Sequence, residues 1–317
     1  MSYTNTTTGS EIADLFASQI TGKTFVITGP SNGSIGAQTA LDFAAHNPAR
    51  IILLGRSESK VSPVLAAIAA LAPSVQTKFV QVDLADLASV RAAAEQIPTG
   101  VDVLVNNAGV MALKTYTKTF DGFEAQFGVN FLAHFLLANL LLQQGKLERG
   151  SRVVNVTSAA ANMEGFREDD WNFSDGETYH PWLAYCQSKA ANILFTSSLA
   201  EKAKARGVLS FSAHPGLINT TGLADDVSAE SFAEAWKLGT ERNGGVPPIE
   251  VVKSLAAGSA TSVRAALDPT LEDESGAYMK DATVVPRESM KEHLTDTDAA
   301  AKLWTLAEEL VSVKVDF

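Results

Sequence analysis

The sequence predicts a single α/β domain with a doubly wound parallel sheet and helices on both of its faces. Short runs of Val, Ile and Leu alternate with alanine-rich stretches along the chain, which is the pattern of successive strand–helix units. No repeat, low-complexity block or linker interrupts this alternation. A chain of 317 residues, 46% of them hydrophobic, is long enough to bury one large core. Ligands are then expected at the carboxyl ends of the strands.

The first half of the chain predicts four strands separated by helices. Asp86 stands near the start of the third helix because its carboxylate can accept hydrogen bonds from the free N–H groups of the first turn. The predicted strands are 24–28, 51–54, 79–82 and 101–105, and the helices begin near 35 and cover about 60–71 and 86–96.

The second half predicts two further strands, at 152–156 and 208–213, on either side of a helix at about 182–204. Residues 120–143 are apolar almost all round, as expected for a long buried helix. The first twenty residues are polar and predict a short lead-in strand or helix, without a signal peptide or membrane anchor.

Bulk charge and cysteine content narrow the class of protein. A net charge of −11 argues against a nucleic-acid partner, because phosphates would be repelled. The single cysteine, Cys186, cannot form an internal disulfide, which is typical of a reducing compartment. We therefore expect a soluble, cytoplasmic protein, and no metal site is predicted.

Tyr185 and Lys189 are the most informative residues, because their i, i+4 spacing places both side chains on one helix face. A free tyrosine keeps its proton up to about pH 10, but a nearby positive charge lowers that pKa. The pair is thus expected to exchange a proton near neutral pH. Alone, such a pair is common on helix surfaces, so its significance depends on the motifs around it.

Four motifs accompany this pair: a glycine-bearing turn at 28–36, Asn-Asn-Ala-Gly at 106–109, a strand ending at Ser158, and His-Pro-Gly-Leu-Ile-Asn-Thr at 214–220. In this order, residues 22–310 resemble the short-chain dehydrogenase/reductase family, in the branch similar to retinol dehydrogenases and their fungal relatives. The resemblance implies one Rossmann domain at 21–317 after an extension at 1–20, with a small substrate lid at about 221–250.

The glycine turn is the expected pyrophosphate site, because glycines allow close backbone approach and the next helix presents free N–H groups. Gly33 and Gly36 stand three positions apart, one more than is usual in the family, and Pro30 lacks an N–H. We expect altered phosphate geometry rather than lost binding.

Arg56, at the end of the second strand, indicates NADP(H) rather than NAD, because a guanidinium can hold a 2′-phosphate through paired hydrogen bonds. Ser57 would assist. The alternative is a solvated loop arginine. Lys60 either adds charge there or belongs to the helix surface.

The resemblance also assigns the remaining cofactor contacts. Asp83 and Leu84 would meet the adenine, and residues 106–109, Asn106 foremost, would support the sheet and the adenine ribose. The full predicted cofactor set is Gly29, Ser31, Asn32, Gly33, Ile35, Gly36, Arg56, Ser57, Asp83, Leu84, Asn107, Ala108, Gly109, Tyr185, Lys189, Pro215, Gly216, Ile218 and Thr220.

The resemblance implies hydride transfer between nicotinamide and a carbonyl or alcohol carbon. Tyr185 would be the acid or base, and Lys189 would hold the nicotinamide ribose and lower the Tyr185 pKa. Ser158 would polarise the substrate oxygen. Asn130 would help place a water that connects Lys189 to solvent. His134, one turn later, is interpreted as a packed core or interface histidine.

Ser158 and Tyr185 lie 27 positions apart, about twice the common family spacing, and the retinol dehydrogenase-like branch shares this insertion. Residues 162–181 are polar and acidic, with three embedded aromatic residues. They form either a solvated loop or one wall of the substrate entrance. The tail at 303–317 predicts a helix and an alternating segment, which caps the cleft or joins a neighbouring subunit.

The sequence therefore predicts an NADPH-dependent oxidoreductase acting on a small lipophilic carbonyl or alcohol. The alternatives are a non-redox enzyme of the same fold, such as a cyclase or dehydratase, and a catalytically silent NADP(H)-binding protein. A homodimer or homotetramer is expected, because the family associates through the helices of Asn130 and Tyr185 and both are apolar here.

Overall fold

A computed structural model of the chain describes residues 2–248 and 250–315. This part contains one eight-stranded sheet in the order β3-β2-β1-β4-β5-β6-β7-β8, parallel except for β8. The strand order reverses between β1 and β4, which creates the crevice where such folds bind ligands. The strands are β1 Thr24–Thr28, β2 Arg50–Gly55, β3 Gln76–Gln81, β4 Val101–Asn106, β5 Leu147–Val156, β6 Leu209–His214, β7 Tyr278–Lys280 and β8 Thr283–Val284.

Helices cover both faces of the sheet, which confirms the predicted α/β class. One apolar core lies under α4, α6, α7 and α10, and the other under α1, α2, α3 and α9. The helices are α1 Gly9–Leu15, α2 Ile35–Ala44, α3 Glu58–Leu71, α4 Leu87–Gln96, α5 Ala125–Phe127, α6 Ala133–Gln143, α7 Pro181–Lys202, α8 Ala229–Arg242, α9 Leu255–Leu267 and α10 Thr297–Leu310.

Polar caps set the starts of several helices. Ser34 Oγ accepts a hydrogen bond from Ala37 N at the start of α2, and Asp86 Oδ1 accepts one from Ala88 N at the start of α4. The prediction of an Asp86 cap is confirmed. The β3 strand begins at Gln76, whereas the predicted start was Phe79. The prediction missed the first residues because they are exposed at the edge of the sheet and are mostly polar. Helices α8 and α9 and strands β7 and β8 were not predicted.

The N-terminal segment forms a helix that packs on the domain. Thr8 and Glu11 form a capping box at its start. Gly9 lies against α2 and α9, because a Cβ at this position would come within 2.1 Å of Asp42 Oδ2 and 2.2 Å of Ser259 Oγ. Burial raises the pKa of Asp42 to about 6, with the Ser259 hydrogen bond acting in the opposite direction.

The long apolar helix begins at Ala125, so the predicted start at Phe120 is wrong. Phe120 is 82% exposed, in a turn that includes Gly122 at a φ of +89°. Glu124 then caps the helix by accepting hydrogen bonds from Gln126 N and Phe127 N. The stretch Ala125–Gln143 is long and apolar enough to span a membrane, but 89% of it is buried within this fold.

The C-terminal helix α10 packs on α7 and α6 of the same chain. Trp304 makes an edge-to-face contact with Phe135, with ring centroids 4.9 Å apart, and also packs against Phe195. Gln143 Nε2 donates to Lys314 O after the helix. The tail therefore packs on the helices of its own chain, and its predicted roles as a cleft cap or a subunit contact stay predictions; residues 316 and 317 lie outside the described residues. Because α10 covers this face, the apolar surface of α6 and α7 gives no support to an oligomer.

Replacing Trp304 by Ala should lower the free energy of unfolding by about 3–5 kcal/mol, because the indole fills the space between α10 and α6–α7. Urea denaturation followed by circular dichroism measures this change. Glu309→Ala, on the exposed side of the same helix, is the control and should differ little from the unmodified protein. Equal stability of the two variants would show that α10 contributes little to the core.

Candidate active site

The glycine turn after β1 packs closely against the end of β4. Gly29 has a φ of +67°, and a Cβ there would lie 2.8 Å from Ala108 Cα. A Cβ on Gly36 would lie 2.5 Å from Asn107 Nδ2. Only glycine therefore fits at both positions, and residues 107 and 108 form the floor beneath the turn.

The longer turn is accommodated by a helix cap. Ser34, which stands between Gly33 and Ile35, donates from Oγ to Gly29 O at 3.1 Å while capping α2. Around Gly33, at a φ of +78°, no atom lies within 4 Å of a built Cβ. The turn thus leaves open space beside the start of α2, where free N–H groups can meet a pyrophosphate group.

Arg56 lies beside this turn. Asn32 N donates to Lys60 O at 3.0 Å, and Pro30 approaches Gly55, so the turn meets the start of α3. The exposed Arg56 guanidinium makes no hydrogen bond or ion pair with residues 2–248 or 250–315. A cation without a protein partner is therefore available where the sequence predicts a 2′-phosphate.

The residues that follow β3 and β4 lie at the carboxyl ends of neighbouring parts of the sheet. Asp83 is half-buried, and its Oδ1 accepts from Ala85 N; Leu84 follows it in the wall. Asn106 is buried and donates from Nδ2 to Asn155 Oδ1 inside the sheet. Asn106 therefore supports the sheet, as predicted, and its side chain lies between β4 and β5; its ribose contact stays a prediction.

The segment after β6 borders the crevice on its other side. Gly216 has a φ of +89° and lies against the Lys253 side chain, and Pro215 is buried beside it. Ile218 and Ile35 both approach Gly258 of α9, so this segment meets the start of α2. Thr220 is exposed at the rim.

The structure brings Ser158, Tyr185 and Lys189 together at the carboxyl ends of β4 and β5. The Ser158 hydroxyl is hydrogen-bonded to the Tyr185 phenol. Lys189 Nζ lies 5.7 Å from the centre of the Tyr185 ring and donates to Val156 O at 3.2 Å. The predicted pairing on one helix face is therefore present on α7.

The titration of this pair differs from the prediction. Tyr185 and Lys189 are each only 4% exposed. Burial raises the pKa of Tyr185, and the hydrogen bond from Ser158 only partly opposes it. Burial also lowers the pKa of Lys189 to about 8. The expected lowering of the Tyr185 pKa by Lys189 is wrong here, because desolvation disfavours the charged form of both groups.

Asn130 connects the end of β4 to α7. It lies in a segment of π-type hydrogen bonding, Gly128–Leu132, between α5 and α6. Its Oδ1 accepts from Val110 N at 2.8 Å, and its Nδ2 donates to Val110 O at 2.9 Å and to Ser188 Oγ at 3.0 Å. A Cβ on Gly109 would lie 3.0 Å from Asn130 Oδ1 and 3.4 Å from Lys189 Nζ, so these two side chains converge there.

Side chains of α8 pack against Trp182 and the apolar cluster of Tyr185. Trp182 contacts Tyr185 edge to face at 6.2 Å and donates from Nε1 to Ser231 O at 2.9 Å. Tyr185 belongs to an apolar cluster whose other members are Met111, Ala112, Ala160, Trp182, Val227, Ala235 and Leu238. Within the predicted lid, Ile249 lies outside the described residues.

The insertion at 162–181 is anchored by aromatic residues, while its acidic side chains stay exposed or half-buried. Phe173 is fully buried, and Trp171 contacts Phe127 with ring centroids 5.6 Å apart. At its start, Glu164 pairs with Arg242 of α8 at 3.3 Å. The first part of the insertion thus meets the lid, and the aromatic residues anchor the remainder against α5.

Sequence reasoning missed Trp182, Ser188 and Val110 as members of this site. Trp182 stands three positions before Tyr185 in the sequence, so its place on the same helix face was detectable. Val110 and Ser188 act through contacts with Asn130 between separate elements, for which the sequence carries no local signal.

An open α/β sheet with a glycine turn at its switch point is the fold of dinucleotide-binding enzymes. The profile of the family described as short chain dehydrogenase matches residues 23–231. The chain belongs to this family of oxidoreductases and is related to its retinol dehydrogenases.

Two relatives illustrate this similarity. Human retinol dehydrogenase 11 is 36% identical over 302 residues, which cover 94% of this chain and 88% of that protein. Oxidoreductase fscI of Fusarium equiseti is 36% identical over 243 residues, covering 68% of this chain and 94% of that one. The predicted resemblance to the retinol dehydrogenase branch and its fungal relatives is confirmed.

Solved structures agree with the fold. An uncharacterised protein from Mycobacterium Paratuberculosis has a TM-score of 0.72 at 32% identity, covering 94% of this chain and 96% of that chain. A short chain dehydrogenase from Burkholderia cenocepacia, determined in complex with NADP, has a TM-score of 0.62 at 25% identity, covering 82% and 96%.

Two glycine substitutions should separate backbone strain from crowding in the turn. Gly33→Ala should cost about 1–2 kcal/mol for a left-handed conformation, because space is open around it. Gly29→Ala carries the same strain and also overlaps the Ala108 backbone, so it should destabilise the protein further. Thermal or urea unfolding of both variants measures the difference. Equal losses would contradict the close packing of residue 29 on β4.

Proposed function

We propose that this protein is an NADPH-dependent oxidoreductase that interconverts a carbonyl and an alcohol on a small lipophilic molecule. The observation that carries the proposal is the buried Tyr185 phenol, hydrogen-bonded to Ser158 within an apolar cluster. Family membership supports the reaction type. We further propose residues 1–20 as an extension, 21–317 as the catalytic domain and about 221–250 as its substrate lid.

The preference for NADP(H) rests on the chain's own cations and on the glycine turn. The open space at Gly33 and the floor formed by residues 107 and 108 fit a pyrophosphate, and Arg56, which has no side-chain partner among the described residues, fits a 2′-phosphate. The NADP complex of the Burkholderia cenocepacia relative is consistent with this preference. When bound, the nicotinamide cofactor supplies or accepts the hydride.

The protein's side chains would manage the proton and the substrate oxygen. Tyr185 keeps its proton at neutral pH and would donate it to a carbonyl oxygen during reduction. The Ser158 hydroxyl would donate a second hydrogen bond to that oxygen and polarise the carbonyl. Lys189, which loses its charge near pH 8, would hold the ribose hydroxyls below that pH.

The lipophilic character of the substrate follows from the surroundings of Tyr185. Met111, Ala112, Trp182 and Leu238 form an apolar cluster with Tyr185, so a charged group in contact with them would lose hydration without gaining a partner. Trp182, held by Ser231, presents an aromatic surface directly beside the phenol. We propose an uncharged, largely apolar molecule with one carbonyl or hydroxyl group.

We also propose a cytoplasmic location and a homodimer or homotetramer. Cytoplasmic localisation rests on the single, buried cysteine, Cys186, and cell fractionation tests it. The oligomer would need a surface other than the one that α10 covers, and light scattering of the purified protein measures the subunit number.

Replacing Tyr185 by Phe should reduce the rate of carbonyl reduction by at least about a hundredfold, because the proton donor is lost. The Kd for NADPH, measured by fluorescence titration, should stay unchanged. Tyr278→Phe is the matched control, since it removes another buried phenol in β7. Normal turnover by Tyr185→Phe would exclude the mechanism. If the protein is a non-redox enzyme, Tyr185→Phe should abolish product formation, and neither this variant nor the unmodified protein should consume NADPH.

Replacing Arg56 by Asp should weaken NADPH binding and improve the relative affinity for NADH, because a carboxylate repels a 2′-phosphate and accepts ribose hydroxyls. Titration of each nucleotide at one salt concentration measures both Kd values. Lys204→Asp is the control, because it makes the same charge change on an exposed residue before β6, at the opposite end of the sheet. An unchanged Kd for NADPH would mean that another residue holds the phosphate.

A further inference from the structure

A buried histidine joins the glycine turn to the Asn130 segment. His134 is 1% exposed, in the first turn of α6. Its Nε2 lies 2.9 Å from Thr28 Oγ1, and its Nδ1 lies 3.0 Å from Asn130 O. One imidazole ring thus contacts the last residue of β1 and the backbone of the π-type segment at the same time.

The partners of the ring determine its protonation. A carbonyl oxygen only accepts hydrogen bonds, so His134 Nδ1 carries a proton and donates it to Asn130 O. Thr28 Oγ1 already accepts hydrogen bonds from Asn107 N at 2.9 Å and Ala108 N at 3.0 Å. The Thr28 hydroxyl proton is therefore directed to Nε2, and the ring is neutral.

The surroundings of the ring agree with this neutral form. Burial, together with the positive charge of Lys189, lowers the pKa of His134 to about 4, although the hydrogen bond to Asn130 O acts in the opposite direction. The charge effect places His134 within electrostatic reach of the Tyr185–Lys189 pair. Its polar atoms are both satisfied, so the ring is held in one orientation rather than packed as a simple apolar filler.

We propose that His134 is a positioning residue that couples the glycine turn to Asn130. Through Thr28 it is connected to residues 107 and 108, the floor of the turn, and through Asn130 O it orients the segment whose side chain holds Val110 and Ser188. Loss of the ring's hydrogen bonds would let Asn130 and Lys189 shift relative to the turn. This inference rests on the proposed oxidoreductase function.

Paired substitutions at position 134 test the coupling. His134→Phe keeps the size of the side chain but removes both hydrogen bonds, whereas the amide of His134→Gln can accept from Thr28 and donate to Asn130 O. We expect kcat of His134→Phe to fall about tenfold or more, because Lys189 and Tyr185 are misplaced. We expect His134→Gln to recover most of this loss, with Kd for NADPH changing less than about threefold in both variants.

The hydrogen bond between Thr28 and His134 can also be tested at Thr28, because Thr28→Val removes the hydroxyl and Thr28→Ser keeps it. This pair serves if His134→Phe does not fold. Normal kcat in both the His134→Phe and the Thr28→Val variants, or a His134→Gln protein as impaired as His134→Phe, would overturn the proposal.

A measurement without turnover separates this inference from the proposed function. NMR of protein labelled with ¹⁵N in its histidines, assigned with His134→Gln, should show a neutral ring protonated at Nδ1 between about pH 5 and pH 9. A ring that titrates in this range, or one protonated at Nε2, would refute the hydrogen-bond arrangement. The correct tautomer in a protein that fails to bind NADPH would instead count against the oxidoreductase function.

Discussion

The two-way hydrogen bonding between Asn130 and Val110 is the contact on which the site depends. The amide both accepts from and donates to the backbone of one residue, so it fixes the chain where it leaves β4. Regular α-helical bonding is interrupted at Gly128–Leu132, and this interruption positions Asn130 for that contact. The third bond, to Ser188, ties α7 to the same point. Residues from three separate elements thereby acquire fixed relative positions.

Burial then determines the chemistry of the groups so placed. Tyr185 and Lys189 are buried, and desolvation favours the neutral form of each. A phenol that keeps its proton is suited to donate it, and an apolar wall is suited to an apolar substrate. The aromatic residues of the insertion contribute indirectly, because Trp171 and Phe173 hold the segment that supports the lid.

The apolar character of α6 and α7 has an internal explanation. An exposed apolar helix pair would suggest a subunit interface or a membrane contact, and the sequence alone cannot distinguish these from burial. The packing of Trp304 against Phe135 and Phe195 shows that α10 of the same chain covers this face. The apolar residues of α6 and α7 are thus explained by their packing against α10, which lies more than a hundred residues away in sequence.

The sequence by itself determined the fold class, the order of the central strands and the family, because strand–helix alternation and short motifs are local signals. The cap at Asp86, the glycine turn and the Tyr185–Lys189 pair could all be read from neighbouring residues. Only the tertiary structure decided the titration of that pair, the inward direction of Asn106 and the place of α10. Each of these depends on burial or on contacts between residues distant in the chain, and such contacts leave no periodicity in the sequence.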